Sequence, residues 1–324
     1  LRMDVVRVDS QAAEDTIARR VSELLAKALT ADDAVQIALL NNRGLQASFQ
    51  ELGISEAQMV RAGQLPNPHF SMTRVRDSND FKIEQALTFN LMSLLVTPHA
   101  VELEQRRFAR TQRTLALEVV SLAAQTRGAY FQALAAEENV RYLAQVRDAA
   151  DAGAELGRRM SQAGNWSRLM QAREQSFYAD AALALARAEQ RRVAVRERLT
   201  RLLGLWGEQA AFKLPERLPD LPAVAEDLPD IERRAIEQRL DLQSARLDTE
   251  ALAKNLGLTR TTRLINVFEF GPARILDGPR RGPYDTLTGY EVVFELPLFD
   301  WGSSKVVRAE AMYMQAVHRV AQTA

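Results

Sequence analysis

The chain has 324 residues, enough for two domains or for one elongated body. Its 42 basic and 42 acidic side chains cancel, which excludes a bulk electrostatic pull toward nucleic acid or anionic lipid. Cysteine is absent, which excludes disulfides, thiolate metal sites and cysteine nucleophiles, and the sparse aromatic but abundant alanine content argues for helices packed through small side chains.

Residues 1–29 read as a weakly patterned N-terminal extension in which Ile17, Val21, Leu24 and Leu25 form one short amphipathic helix. Thr30 reads as an N-cap, with Asp32 and Asp33 in the first turn, where the helix dipole favours anions. Apolar spacing from Val35 to Val60 predicts one helix that fades by Gly63. Leu65-Pro66-Asn67-Pro68 cannot continue it, because each proline lacks an N–H and restricts its predecessor.

Phe70 and Met72 then alternate with Ser71 and Thr73, and Asp77-Ser78-Asn79-Asp80 is a turn. The next run is the clearest strand. Phe81, Ile83, Leu87, Phe89 and Leu91 fall on one face, interrupted by Gln85. Lys82, Glu84, Thr88 and Asn90 fall on the other, with Ala86.

A long helix is predicted from about Pro98, with Gly153, Gly157 and Gly164 breaking its regularity. Within it Leu115, Val119, Leu122, Thr126, Ala129, Ala133, Ala136, Val140 and Leu143 step alternately by four and three, a heptad seam with a small-residue middle. An alanine-rich helix from about Ser167 to Leu203 completes an antiparallel hairpin whose tip lies near Gly164. Prolines at 215, 219, 222 and 229 mark a linker over residues 205–229.

Beyond it the chain repeats itself. Ala38-Leu39-Leu40-Asn41-Asn42-Arg43-Gly44-Leu45-Gln46-Ala47 recurs as Ala235-Ile236-Glu237-Gln238-Arg239-Leu240-Asp241-Leu242-Gln243-Ser244, an offset of 197 residues. Residues 30–204 form the first copy and 230–324 the second. The second holds a helix from Ile231 to about Leu258 and a strand setting Leu264, Asn266, Phe268 and Phe270 against Ile265, Val267 and Glu269. A loop over Gly271–Gly289 follows, then a strand setting Tyr290, Val292, Phe294 and Leu296 against Glu291, Val293 and Glu295, and a helix from about Ser304. By comparison with the first copy, a second helical hairpin is missing, so the chain reads as truncated. Two copies of this length are not a solenoid, whose period is roughly 20–50 residues.

No run of about 18–20 apolar residues is present, so no transmembrane helix is expected. No signal peptide is visible, so an exported protein would be represented here in processed form. The alternating strands fit either a two-layer sheet with one wet face or a membrane β-barrel. Four strands cannot close a barrel alone, so the second reading needs an oligomer. The region 158–170 is either a plain helix–helix turn or a docking site built on an exposed Trp166 beside Met160, Leu169 and Met170. His69, His99 and His318 lie too far apart in sequence for a local metal motif, and no Glu-x-x-His pair, phosphate loop or nucleophile elbow is present. Neither catalysis nor a cofactor nor a bound metal is expected.

Leu29-Thr30-Ala31-Asp32-Asp33-Ala34-Val35 with Ala38-Leu39-Leu40-Asn41-Asn42 resembles the opening helix of TolC-like outer-membrane efflux proteins. Gln64-Leu65-Pro66-Asn67-Pro68 resembles that family's entry into its first strand, and Glu295-Leu296-Pro297-Leu298-Phe299-Asp300-Trp301-Gly302 its exit from the last. Ala163-Gly164 through Gln171-Ala172-Arg173 resembles its hairpin tip. The run Asn90-Leu91-Met92-Ser93-Leu94-Leu95 departs from the usual first-strand exit and is closer to the heavy-metal branch. An N-terminal lipidated cysteine, common in the family, is absent, and gate residues of the second hairpin cannot be named.

The resemblance implies a mainly α fold with a small β part: long antiparallel coiled-coil helices, two internal repeats and four strands per protomer. It implies a homotrimeric α-barrel/β-barrel duct in the outer membrane of a Gram-negative bacterium, reaching into the periplasm. The function implied is passive exit for a tripartite efflux or type I secretion system. The expected partners are a periplasmic adaptor, an inner-membrane pump and outer-membrane lipid, with no nucleic acid. Arg158, Arg159, Met160, Gly164, Trp166 and Leu169 would meet the adaptor. Lys82, Glu84, Thr88, Asn90, Glu291 and Glu295 would line the lumen. Phe81, Ile83, Leu87, Phe89, Tyr290, Val292, Phe294 and Leu296 would face lipid. The alternative from the residues alone is a soluble periplasmic coiled-coil scaffold or adaptor.

Overall fold

The computed structural model describes residues 3–220, 229–264, 267–279 and 281–324. Helices α1 (Gln11–Leu25), α2 (Ala31–Asn41) and α3 (Arg43–Ala62) lead to strands β1 (His69–Arg76) and β2 (Asp80–Asn90). Helices α4 (Leu91–Gln162) and α5 (Arg168–Leu203) follow, then a 3-10 turn over Gly207–Ala211. Helices α6 (Ile231–Gln238) and α7 (Leu240–Thr262) precede β3 (Phe268–Pro279), β4 (Asp285–Phe294) and α8 (Ser303–Thr323). The expected mainly α fold with four strands is present. Packing divides the chain into one unit of residues 1–49 and 117–228 and another of residues 50–116 and 229–324.

In the first unit the core gathers Ile17, Val21 and Leu24 of α1, Ile37 and Leu40 of α2, and Tyr130 and Leu134 of α4. Leu199 and Leu203 of α5 and Phe212 beyond it complete the cluster. The N-terminal residues therefore belong to a core rather than hanging from it. Thr30 and Asp33 form a reciprocal capping box that satisfies orphan N–H groups at the start of α2. The Tyr130 hydroxyl donates to the Leu29 carbonyl at 2.9 Å, so its polar end is not left unpaired in the core.

The single helix expected over 30–63 is two. Asn42 takes an extended conformation (φ −68°, ψ 116°) between α2 and α3. Its side-chain amide donates to the Leu202 carbonyl at 3.0 Å, and its Oδ1 accepts the Leu45 N–H at 3.1 Å. Those bonds replace the helical ladder and start α3 afresh. Its neighbour Asn41 donates to the carbonyls of Leu203 and Gly204. Gly204 ends α5 at φ +66°, where a Cβ would lie 2.6 Å from the Asn41 carbonyl oxygen. The second copy breaks likewise at Arg239 (φ −62°, ψ 117°), so the expected Ile231–Leu258 helix is also two and runs on to Thr262.

The heptad seam holds in α4: Thr126, Ala129, Ala133 and Ala136 are buried, and no member of the seam is exposed. Contrary to expectation, α4 starts at Leu91 rather than near Pro98 and runs unbroken through Gly153 and Gly157. Asn90 explains the early start, since its Oδ1 accepts the Ser93 N–H at 3.1 Å. Leu91 is therefore helical, not the end of a strand. Gly157 is buried because α5 and the tip pack on it: a Cβ there would meet Trp166 at 3.2 Å and Glu174 at 3.5 Å.

In the second unit the strands form one antiparallel sheet in the order β1-β2-β3-β4. The loop expected over 271–289 is largely strand. Its glycines and prolines do not break the strand: the ladder to β2 carries Gly278 and Pro279, with Asp80 opposite Pro279, and the ladder to β4 carries Gly271 and Pro272. Leu264 lies in a turn, Ile265, Asn266 and Pro222 fall outside the described residues, and Glu295 and Leu296 lie beyond the end of β4. On the helices of this unit, Arg106 pairs with Glu250 at 2.7 Å, Arg110 with Asp248 at 3.1 Å, and Lys254 with Glu102. Helices α7 and α8 pack closely, with Ala251, Ala309 and Ala316 buried.

Gly271 marks the tightest approach in the sheet. A Cβ built there would fall 1.8 Å from the Leu87 carbonyl oxygen, so the backbone itself forbids a side chain. Gly271→Ala is expected to lower stability by about 1–3 kcal/mol, as overpacking against backbone does. Gly289→Ala, on the next strand with nothing within 4 Å, is expected to change it by less than about 0.5 kcal/mol. Denaturant midpoints of the two variants measured side by side check this, and equal midpoints would refute the close approach.

Candidate functional site

The ladder decides which side chains share a face, because residues opposite one another point the same way. Phe70 pairs with Leu87, Phe89 with Phe270, Phe270 with Val292 and Phe268 with Phe294. Tyr290 lies opposite Pro272 on the same face, and alternation along β2 adds Phe81 and Ile83. One face is thus a continuous apolar surface. Phe270 and Tyr290 stack with ring centroids 5.8 Å apart, and Phe81 meets Tyr284 edge-on at 6.3 Å. Much of it is open: Phe70, Tyr290 and Phe294 are exposed.

Lys82, Glu84, Thr88, Asn90 and Glu291 share the other face. Lys82 pairs with Glu84 at 2.6 Å, and Thr88 donates to Glu269 at 2.7 Å. Ala86, Thr88 and Gly271 on this face are buried, as the inside of a curled sheet would be. Sequence reading missed Glu269, Asp277 and Asp285 here, which lie opposite Asn90, Lys82 and Asp277 respectively. Glu269 was already placed by alternation in its strand, but the other two sat in a stretch read as loop. All four junctions to helices lie at one end of the sheet, and the turns 77–80 and 281–284 lie at the other.

The hairpin tip is built from a different set of bonds. Gly164 sits at φ +73°, and the Met160 carbonyl accepts the N–H groups of Asn165 at 3.0 Å and Trp166 at 3.3 Å. Ser167 caps α5 by accepting the Met170 N–H. Trp166 is half-buried, not exposed: its ring folds back over Gly157, the one residue type that leaves room for it. Leu169 and Met170 remain exposed, as do Arg158 and Arg159. Both arginines donate to Glu155 at 2.7 Å. The bonds from Arg158, then those from Arg159, hold the Glu155 carboxyl down to about 2 from the usual 4.5.

Among the described residues no three His, Asp or Glu side chains cluster as metal ligands would, and no helix is long and apolar enough to cross a membrane. The latter says nothing of a β-barrel.

No family model matches the chain. It is 25% identical over 284 residues to the cobalt-zinc-cadmium resistance protein CzcC of Cupriavidus metallidurans, covering 84% of this chain and 64% of CzcC. The chain thus spans less than two thirds of that relative's length. Among solved structures it is similar to the Campylobacter jejuni CmeC outer membrane channel, with a TM-score of 0.72 and 19% identity over 90% of this chain and 67% of that one. A membrane protein from Pseudomonas aeruginosa matches with a TM-score of 0.71 and 18% identity over 90% of this chain and 72% of that one. The chain has the fold of these channels.

Two outcomes are expected at the tip. With Trp206 and Trp301 replaced by Phe, Gly157→Val should push Trp166 off α4 and shift its fluorescence emission to the red. An unchanged spectrum would contradict the packing. The Glu155 carboxyl should titrate by NMR at about 2, and closer to 4.5 once Arg158 and Arg159 are both alanine. Because the folded value is depressed, the cluster's contribution is complete above about 4.5 and is lost as pH falls through about 2.

Proposed function

We propose that this chain is part of a protomer of an outer-membrane exit duct, a passive channel serving a tripartite efflux or type I secretion system. The observation that carries the reading is a four-stranded sheet with one open aromatic face, one acidic face and two unpaired edges, β1 and β4. Unpaired edges and an uncovered apolar face are liabilities in water. Both vanish if three copies close into a twelve-stranded barrel, four strands from each. β2, at 11 residues, has the length a tilted transmembrane strand needs.

In that barrel Phe81, Ile83, Leu87, Phe89, Tyr290, Val292 and Phe294 face lipid, and Leu296 follows them at the helix-side rim. Lys82, Glu84, Thr88, Asn90 and Glu291 line a water-filled lumen, with Glu295 at its mouth. Twelve strands exceed the eight whose interior side chains fill, so solute has a path. At the tip Arg158, Arg159, Met160, Gly164, Trp166 and Leu169 meet a periplasmic adaptor, which in turn holds an inner-membrane pump. Similarity to CzcC supports heavy-metal cations as cargo. No step requires catalysis by this chain. The soluble scaffold alternative leaves the aromatic face without a cover.

The full-length protein is expected to require detergent and to have the mass of a trimer plus micelle by light scattering. A detergent-independent monomer would overturn the duct. Leu87→Arg is expected to cost roughly 2–4 kcal/mol of insertion free energy if Leu87 lies near mid-bilayer. Unimpaired insertion of that variant would reverse the assignment of faces.

A further inference from the structure

Charge is divided across the sheet by sign. Asp80, Glu84, Glu269, Asp277, Asp285 and Glu291 all lie on the lumen-assigned face. The opposite face carries no acid at all among the described residues, yet it carries three arginines. Arg74 lies opposite Ile83, Arg76 opposite Phe81, and Arg274 opposite Gln85. All three are exposed. They sit in the turn-side half of the face with Phe81, away from the helix junctions, while most of the aromatic rings gather in the other half.

Several of the chain's arginines are engaged within it. Arg106, Arg110, Arg158, Arg239 and Arg260 each pair with a carboxylate. Arg74, Arg76 and Arg274 make no hydrogen bond or ion pair among the described residues. The nearest acid in sequence is engaged elsewhere: Asp77 accepts the N–H groups of Asn79 and Asp80 within the turn. Three guanidiniums left unpaired by the chain on an apolar surface are free to take an anionic partner from outside it.

We propose that the arginine half of this face binds the phosphates of an anionic glycolipid in the outer leaflet. This rests on the membrane reading of the sheet. Arg74 and Arg76 stand roughly 7 Å apart along β1, and Arg274 lies two strands away, roughly 10 Å across the sheet. That spacing suits a headgroup with more than one phosphate, gripped by guanidinium forks rather than by a point charge. The acyl chains then lie along the aromatic half, and the long arginine stems reach from apolar surface to the headgroup level. The zero net charge of the whole chain does not oppose this, because the acids that balance it on the sheet face the other way.

The test uses the full-length protein, purified in detergent and offered bis-phosphorylated lipid A, monophosphorylated lipid A or phosphatidylcholine, with bound lipid counted by native mass spectrometry. Wild type is expected to retain bis-phosphorylated lipid A over phosphatidylcholine, with monophosphorylated lipid A between. The triple variant R74Q/R76Q/R274Q is expected to lose about tenfold or more of that retention, and R74K/R76K/R274K to keep part of it. Circular dichroism and particle mass establish that the variants are folded; if the triple variant is not, R274Q alone carries the comparison. Equal retention by the glutamine variant and wild type overturns the proposal, as does a wild type without preference for phosphorylated lipid. Either result in a detergent-requiring trimer leaves the duct standing. A wild type soluble without detergent removes both.

Discussion

The register of β2 against β3 is the constraint on which the rest of this sheet depends. β2 belongs to the first copy of the repeat and β3 to the second, and the ladder from Asp80–Pro279 to Asn90–Glu269 joins them. Side chains alternate faces with a period of two, so a slip of one residue would exchange the faces of an entire strand. Glu269 and Asp277 would then lie among the phenylalanines, and Phe270 among the carboxylates. The separation of aromatic from acidic surface follows from one pairing, not from many independent choices. Gly271 helps to pin it, because the Leu87 carbonyl comes so close that only a residue without a Cβ fits.

The two copies share a backbone break more closely than they share chemistry. Asn42 and Arg239 occupy equivalent places in the repeat and take nearly the same extended conformation. At Asn42 the break is tied to the end of α5, with carboxamides satisfying the last carbonyls of that helix. At Arg239 the side chain turns instead to Asp241 at 2.8 Å, a local pair exposed to solvent. Exposed pairs of this kind contribute little to stability. The geometry of the break is therefore held by tertiary bonds in one copy and by local ones in the other.

Much of this was legible in the sequence, and most of the failures share a cause. The heptad seam, the Thr30 cap and the alternation of β2 as far as Asn90 are periodic or local signals, and all of them stand in the structure. Most of the errors arose where a partner outside the segment outweighs local punctuation. Gly271, Pro272, Gly278 and Pro279 read as loop because nothing in their own segment reveals that β2 and β4 lie on either side. Pro98 read as a helix start, although Asn90 caps the helix two turns earlier and Pro98 is absorbed within it. Trp166 read as exposed because Gly157, nine residues away, gave no sign that it made room. Arg274 was hidden for the same reason as the strand that carries it.

The charge division also fixes what kind of solvent each face can tolerate. A face with aromatics at one end, arginines at the other and no carboxylate cannot satisfy its own cations, and it cannot bury its rings against a sheet of its own. Water would satisfy the arginines but not the rings, and a hydrocarbon interior would do the reverse. A bilayer boundary offers both within the length of one strand, apolar toward its middle and anionic at its surface. The opposite face asks for the complementary medium: six carboxylates, with Lys82 the one lysine or arginine among them, stay charged only where water reaches them or a cation passes. One sheet thus needs a lipid boundary on one side and an aqueous passage on the other. Closing three such sheets edge to edge supplies both at once, and leaves no strand edge unpaired.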